Sequence, residues 1–166
     1  VVVGALVGPV SLTSLLIGAR PFVSLLRGDS RRRALLLPRL MDRADLYCSN
    51  WARAMHEAGC QLLFVIEPLV NSLLLDEQSF LSCAQPALSS FTSRLRGEAV
   101  LALSSPSLSF VPHLRNLDVS AFACGEQDAL DSLRRALGGS IRVVGSLPNN
   151  LLVDGVPDQI AQLSRE

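Results

Sequence analysis

The stretch His56–Asn71, HEAGCQLLFVIEPLVN, decides how the rest of the chain is read. Its six residues from Gln61 to Ile66 form an almost wholly apolar run between Gly59 and Pro68. That run is too short for a buried helix, and the residues around it end regular structure, so it predicts a strand covered on both faces. Strands of this kind belong to parallel sheets. Glu67 follows the run and so sits at the carboxyl end of the strand, where α/β folds keep their chemistry. The expected cleft therefore includes Glu67, although the same residues also allow it to cap or pair with a neighbouring loop.

Upstream, Val1 to Val7 reads as a first strand, with Gly8-Pro9 behind it and Ser11 or Thr13 as the cap of a helix carrying Leu12, Leu15 and Leu16. A second short helix is expected over Phe22 to Leu26, ended by Gly28. Arg31 to Arg33 read as a solvated face, since arginines without interleaved aromatics make a poor nucleic-acid signal. Pro38 is expected to break the pattern. From Arg39 to Ala58, apolar residues recur at Leu40, Ala44, Tyr47, Trp51, Met55 and Ala58, which predicts an amphipathic helix of about five turns with Trp51 in the core.

Downstream, Asp76 can cap a helix reaching Arg96, with Gly97 at its end and a kink at Pro86. Glu98 to Leu103 reads as a third strand and Ser107 to Arg115 as a short helix. Val119 to Cys124 is the fourth strand, Glu126 to Leu137 a helix with acids early and Arg134 and Arg135 late, and Ile141 to Gly145 the fifth strand. A last helix starts at about Pro157. Five strands alternating with helices imply an α/β fold with a parallel sheet and right-handed crossovers. This order alone leaves open whether the sheet is doubly wound or part of a barrel. No Gly-x-Gly-x-x-Gly follows the first strand, which counts against a dinucleotide fold.

The 166 residues suffice for one domain with a real core. They fall short of the ~250 residues usual for a complete eight-stranded α/β barrel. With 15 basic residues against 15 acidic ones, no overall field attracts nucleic acid or an anionic membrane. Every base is arginine, so a Schiff-base lysine, a lysine general base and a Walker-type phosphate loop are excluded. Cys48, Cys60, Cys83 and Cys124 are widely spaced within apolar patterns and read as free thiols of a cytoplasmic protein. Val1 to Ala19 has no charge and the length of a membrane span, but Gly4, Gly8, Pro9 and Gly18 divide it into strand, turn and helix start. The two histidines lack His-Glu-x-x-His spacing, and no Gly-x-Ser-x-Gly is present.

Several segments together resemble the uroporphyrinogen decarboxylase superfamily. Gly8-Pro9-Val10-Ser11-Leu12-Thr13 is similar to its Gly-Pro-x-Thr-Leu-Ala segment. Glu57-Ala58-Gly59, the strand after it and Glu67-Pro68 resemble its Glu-Ala-Gly-Ala-Asp strand ending in Asp-Pro. Val144-Gly145-Ser146-Leu147-Pro148 and Asp154-Gly155-Val156-Pro157 resemble its Gly-Asn-x-x-Pro and Gly-Thr-Pro. The Glu-Pro ending is closer to the methylcobamide:coenzyme M methyltransferase branch than to the decarboxylases.

The resemblance implies a partial TIM (β/α)8-type barrel, in which residues 1–166 supply about five consecutive strands and the early strands and the last one are absent. Its two open sheet edges invite self-association. The pocket rim would comprise Gly8, Pro9, Glu67, Ser104, Cys124 and Asn149. In the methyltransferase branch, a zinc ion held by His-x-Cys and a later Cys keeps the acceptor thiol deprotonated for attack on a cobalt-bound methyl group. The His-x-Cys positions are occupied here by Ala102 and Ser104, and the third ligand would lie beyond Glu166. No zinc or other cofactor is therefore expected in this chain, and Cys124 and His113 lack the spacing for a substitute site. The implied partners are a corrinoid protein and a small thiol, with activity impaired by the loss of ligands. The alternatives are decarboxylation of a tetrapyrrole, whose acid and arginines would lie in an N-terminal region not represented here, and a non-catalytic binding homologue.

Overall fold

The computed structural model describes residues 1–104, 109–124, 127–138, 141–145, 155–158 and 161. Five strands, β1 (Val3–Val7), β2 (Leu62–Glu67), β3 (Glu98–Leu103), β4 (Ala121–Cys124) and β5 (Arg142–Val144), form one parallel sheet in the order β1-β2-β3-β4-β5. A doubly wound sheet would carry its first strand in the middle. Here β1 and β5 lie at opposite edges, as in an arc of a (β/α)8 barrel. Right-handed crossovers that always step in the same direction place the helices on one face of the sheet.

The alternation along β2 and at the carboxyl ends of β3 and β4 records this one-sided cover, while Val100 and Ala121, farther from those ends on the other face, are also buried. Leu63, Val65, Glu67, Leu101, Leu103, Phe122 and Cys124 point to the helices and are buried. On the other face, Val3, Ile66 and Val144 are 53%, 39% and 45% exposed, with Phe64, Ala102 and Ala123 partly so. The register aligns Val7, Ile66, Ala102, Ala123 and Val144 as one row across this open face. The expectation that β2 is covered on both sides therefore holds for one side only.

The helical layer consists of α1 (Pro9–Ile17), α2 (Ala19–Arg27), α3 (Ser30–Glu57), α4 (Glu77–Ser79), α5 (Gln85–Thr92), α6 (Val111–Leu114) and α7 (Gln127–Leu137). Asp76 caps α4 by accepting from Ser79 N, as expected. The expected kink at Pro86 is instead a π-helical turn at Phe80–Ala84, where Gln85 N reaches back to Phe80 O. Proline cannot supply the next backbone donor, so the ladder adjusts in the turn ahead of it. The helical run ends at Thr92, short of the expected Arg96.

Pro38 does not break the chain, because α3 runs through it for 28 residues. The buried stripe of α3 is Leu37, Met41, Ala44, Cys48 and Ala52, whereas Tyr47 and Trp51 are 70% and 56% exposed. This corrects the expected core role of Trp51: the small residues let α3 approach α1 and β1 closely, and the aromatics face outward. α1 starts at Pro9 with Gly8 as its N-cap, not at a Ser11 or Thr13 cap, and Thr13 Oγ1 instead donates back to Pro9 O at 2.8 Å. Gly18, at φ +88°, makes the corner at which α2 turns 112° away from α1. Among the described residues no single helix is long and apolar enough to cross a membrane.

Candidate functional site at the strand ends

The carboxyl ends of the strands carry two different environments, one on each face of the sheet. On the helix side, Glu67 is fully buried. Its Oε1 accepts from Val10 N at 2.8 Å, and its Oε2 accepts from Ser11 N at 2.9 Å and Ser11 Oγ at 2.7 Å. Glu67 thus supplies from a distance of 56 residues the cap that α1 lacks locally, with its negative end against the helix N-terminus. Gly8 makes room for it, since a Cβ there would lie 2.6 Å from Glu67 Cγ and 2.7 Å from Cδ.

Burial pushes the Glu67 carboxyl up from its ordinary 4.5 to about 7, opposed by the donors from Ser11 and Val10. Cys48 lies in the same buried layer and donates to Val7 O at 3.2 Å. Burial, with Glu67 and Asp45 nearby, pushes its thiol up to about 12.

On the open face, a cleft of about 330 Å³ is lined by Phe64, Ile66, Ala102, Ala123 and Val144, with Pro68, Ser104 and Gly145 at its mouth. Ser104 Oγ donates to Pro68 O at 2.8 Å and ties the ends of β2 and β3 together. The cleft suits the apolar body of a small ligand with its polar end toward the mouth.

The residues expected on the rim therefore separate. Gly8, Pro9 and Glu67 do come together, but on the helix-covered face, where they form the start of α1. Ser104 lies at the cleft. Cys124 borders it at the end of β4, yet its side chain shares the helix face with Leu103 and is buried. Asn149 lies outside the described residues. Sequence reasoning missed Phe64, Ile66, Ala123 and Val144 as cleft residues. The signal was present in the alternate positions of the apolar runs, but it could be used only once the helices were known to occupy one face.

The zinc-ligand positions of the resembling branch do not fit a metal. Ala102 presents a methyl group, Ser104 a hydroxyl already donated to Pro68, and His113 packs tilted against Phe80 in the helical layer. Among the described residues no three of His, Cys, Asp and Glu group closely enough to hold an ion.

Residues 1–166 match the family described as uroporphyrinogen decarboxylase (URO-D). The methylcobamide:CoM methyltransferase MtaA of Methanosarcina barkeri is 23% identical over 162 residues, covering 96% of this chain and 46% of that protein. A solved structure of a methyltransferase from Methanosarcina mazei matches with a TM-score of 0.87 at 21% identity, covering 99% of this chain and 48% of the other. The chain thus spans about half the length of the relatives it matches.

Proposed function

The chain belongs to the uroporphyrinogen decarboxylase family, and from that premise we propose that it is a methyltransferase-branch homologue whose strand-end cleft holds a small thiol but cannot activate it on zinc. The observation that carries this reading is the composition of the cleft. Its walls are apolar, and the positions where the branch would hold its ion are Ala102 and Ser104. Transfer of a methyl group from a corrinoid protein needs an acceptor thiolate, and nothing among the described cleft residues stabilises one. The chain keeps the shape of the site and loses the chemical step. Its four free cysteines accord with a reducing, cytoplasmic setting.

The test is to mix the purified chain with a methylated corrinoid protein and a small thiol such as coenzyme M. Thiol binding is followed by calorimetry and cobalt demethylation by the corrinoid spectrum. We expect thiol binding with no demethylation above background. Demethylation at an enzymic rate, or failure to bind the thiol, overturns the reading. A second reading, decarboxylation of a tetrapyrrole carboxylate, draws on Arg142, which lies on the open face beside Ala121. Binding of a porphyrinogen by the same protein would favour it.

A further inference from the structure

At the opposite end of β2 and β3 from this cleft, α3 and the segment after α5 enclose a second cavity of about 320 Å³. Arg53, Arg94, Arg96, Asn50 and His56 line it, over an apolar floor that includes Ala52. Arg94 is fixed from beneath: Asp45, 2% exposed, accepts from Arg94 Nη1 at 3.1 Å, Ser90 Oγ at 2.7 Å and Ser49 Oγ at 2.9 Å. One of the five guanidinium donors is spent on that anchor. Arg53 donates from Nη2 to Asn50 Oδ1 at 3.2 Å and pairs with the exposed Glu57 at 3.9 Å, and among the described residues Arg96 has no ion-pair partner. His56 Nδ1 donates to Cys60 O at 3.0 Å, which holds the ring at the edge of the cavity.

We infer that this cavity binds the phosphate group of a small phosphate monoester. A carboxylate is satisfied by one bidentate guanidinium, whereas a doubly charged phosphate with three terminal oxygens can use all three arginines. The buried Asp45 sets one of them in place before the ligand arrives, which lowers the ordering cost of binding. A tie between α3 and α5 accounts for Arg94 and Asp45 but gives no role to Arg96, and Arg53 keeps guanidinium donors beyond those it places on Asn50 and Glu57. The volume is that of a small-molecule site, and the apolar floor receives the organic part of the ester. This site is independent of the methyl-transfer reading, and its ligand never reaches the strand-end cleft.

The test is a calorimetric titration of the full chain with inorganic phosphate and with phenyl phosphate, against sodium chloride at equal ionic strength. Saturable binding of one phenyl phosphate per chain, tighter than that of phosphate, is expected. The Arg53→Gln/Arg96→Gln double variant should weaken it at least tenfold. The Arg31→Gln/Arg32→Gln variant, in the exposed arginine run on α3, should leave it unchanged. Arg96→Ser alone, with its circular dichroism compared to wild type, separates lost binding from lost folding. Non-saturable uptake, equal losses in both double variants or no loss on removing Arg53 and Arg96 overturns the inference. Binding is read directly, so the outcome does not depend on whether any methyl group moves.

Discussion

Replacing Glu67 by glutamine isolates the effect of burying a carboxyl group under α1. Glutamine has the shape of the protonated acid but cannot ionise. In the fold Glu67 titrates at about 7 and in the unfolded chain at 4.5. Below pH 4.5 both states hold the proton, and the stability associated with this group is fully present. Between 4.5 and 7 the unfolded chain releases the proton while the native chain keeps it, so stability falls as pH rises. Above 7 the loss is complete, at roughly 3 kcal/mol from the difference between the two values. The glutamine variant escapes this loss. Its amide nitrogen faces a backbone donor and lowers its stability by about 1–3 kcal/mol, but at every pH alike. The readout is therefore the gap between urea denaturation curves of wild type and Glu67→Gln at pH 5, 6, 7 and 8. Part of the loss has already occurred by pH 5, so from the lowest to the highest pH that gap should shift in favour of the variant by about 2–3 kcal/mol. A gap that stays constant, or that moves in favour of the wild type as pH rises, refutes the reasoning.

Gly8→Ala places a methyl group against Glu67 Cγ and Cδ. It should cost about 1–3 kcal/mol in urea denaturation, and an unchanged midpoint would show that the strand end yields more easily than the packing implies. Cys60 is half-buried and Cys48 buried with its thiol pushed up to about 12. Mass spectrometry of native protein treated with iodoacetamide at pH 8 should find Cys60 modified and Cys48 untouched; early labelling of Cys48 contradicts this account of its surroundings. Protein purified without chelator should contain well under one zinc per chain by elemental analysis, and one equivalent would reverse the ligand argument built on Ala102 and Ser104.

The strands were legible because each apolar run is short and bounded by Gly, Pro or Ser. β3 lies at Glu98–Leu103 as read, and β2 is displaced by one residue, which brings Glu67 into the strand. That one residue decides its chemistry: alternation sends Glu67 to the helix side with Leu63 and Val65, while Phe64 and Ile66 face the open cleft. The face of α3 was misread because several apolar stripes fit its spacing, and size favoured Tyr47 and Trp51 over the small residues that pack. The role of Ser11 could not be seen locally, since its partner lies 56 residues away. The cavity around Arg94 was hidden for the same reason, because Asp45 and Arg94 meet only after α3 and α5 pack together.

The sequential strand order has a consequence for assembly of the chain. Each strand docks beside the one made just before it, so the sheet grows like a zip, and every loop that must close spans only one crossover. Removing β5 should therefore leave the other four strands paired as they are. In a sheet whose first strand is central, the same cut would strip a neighbour from the middle.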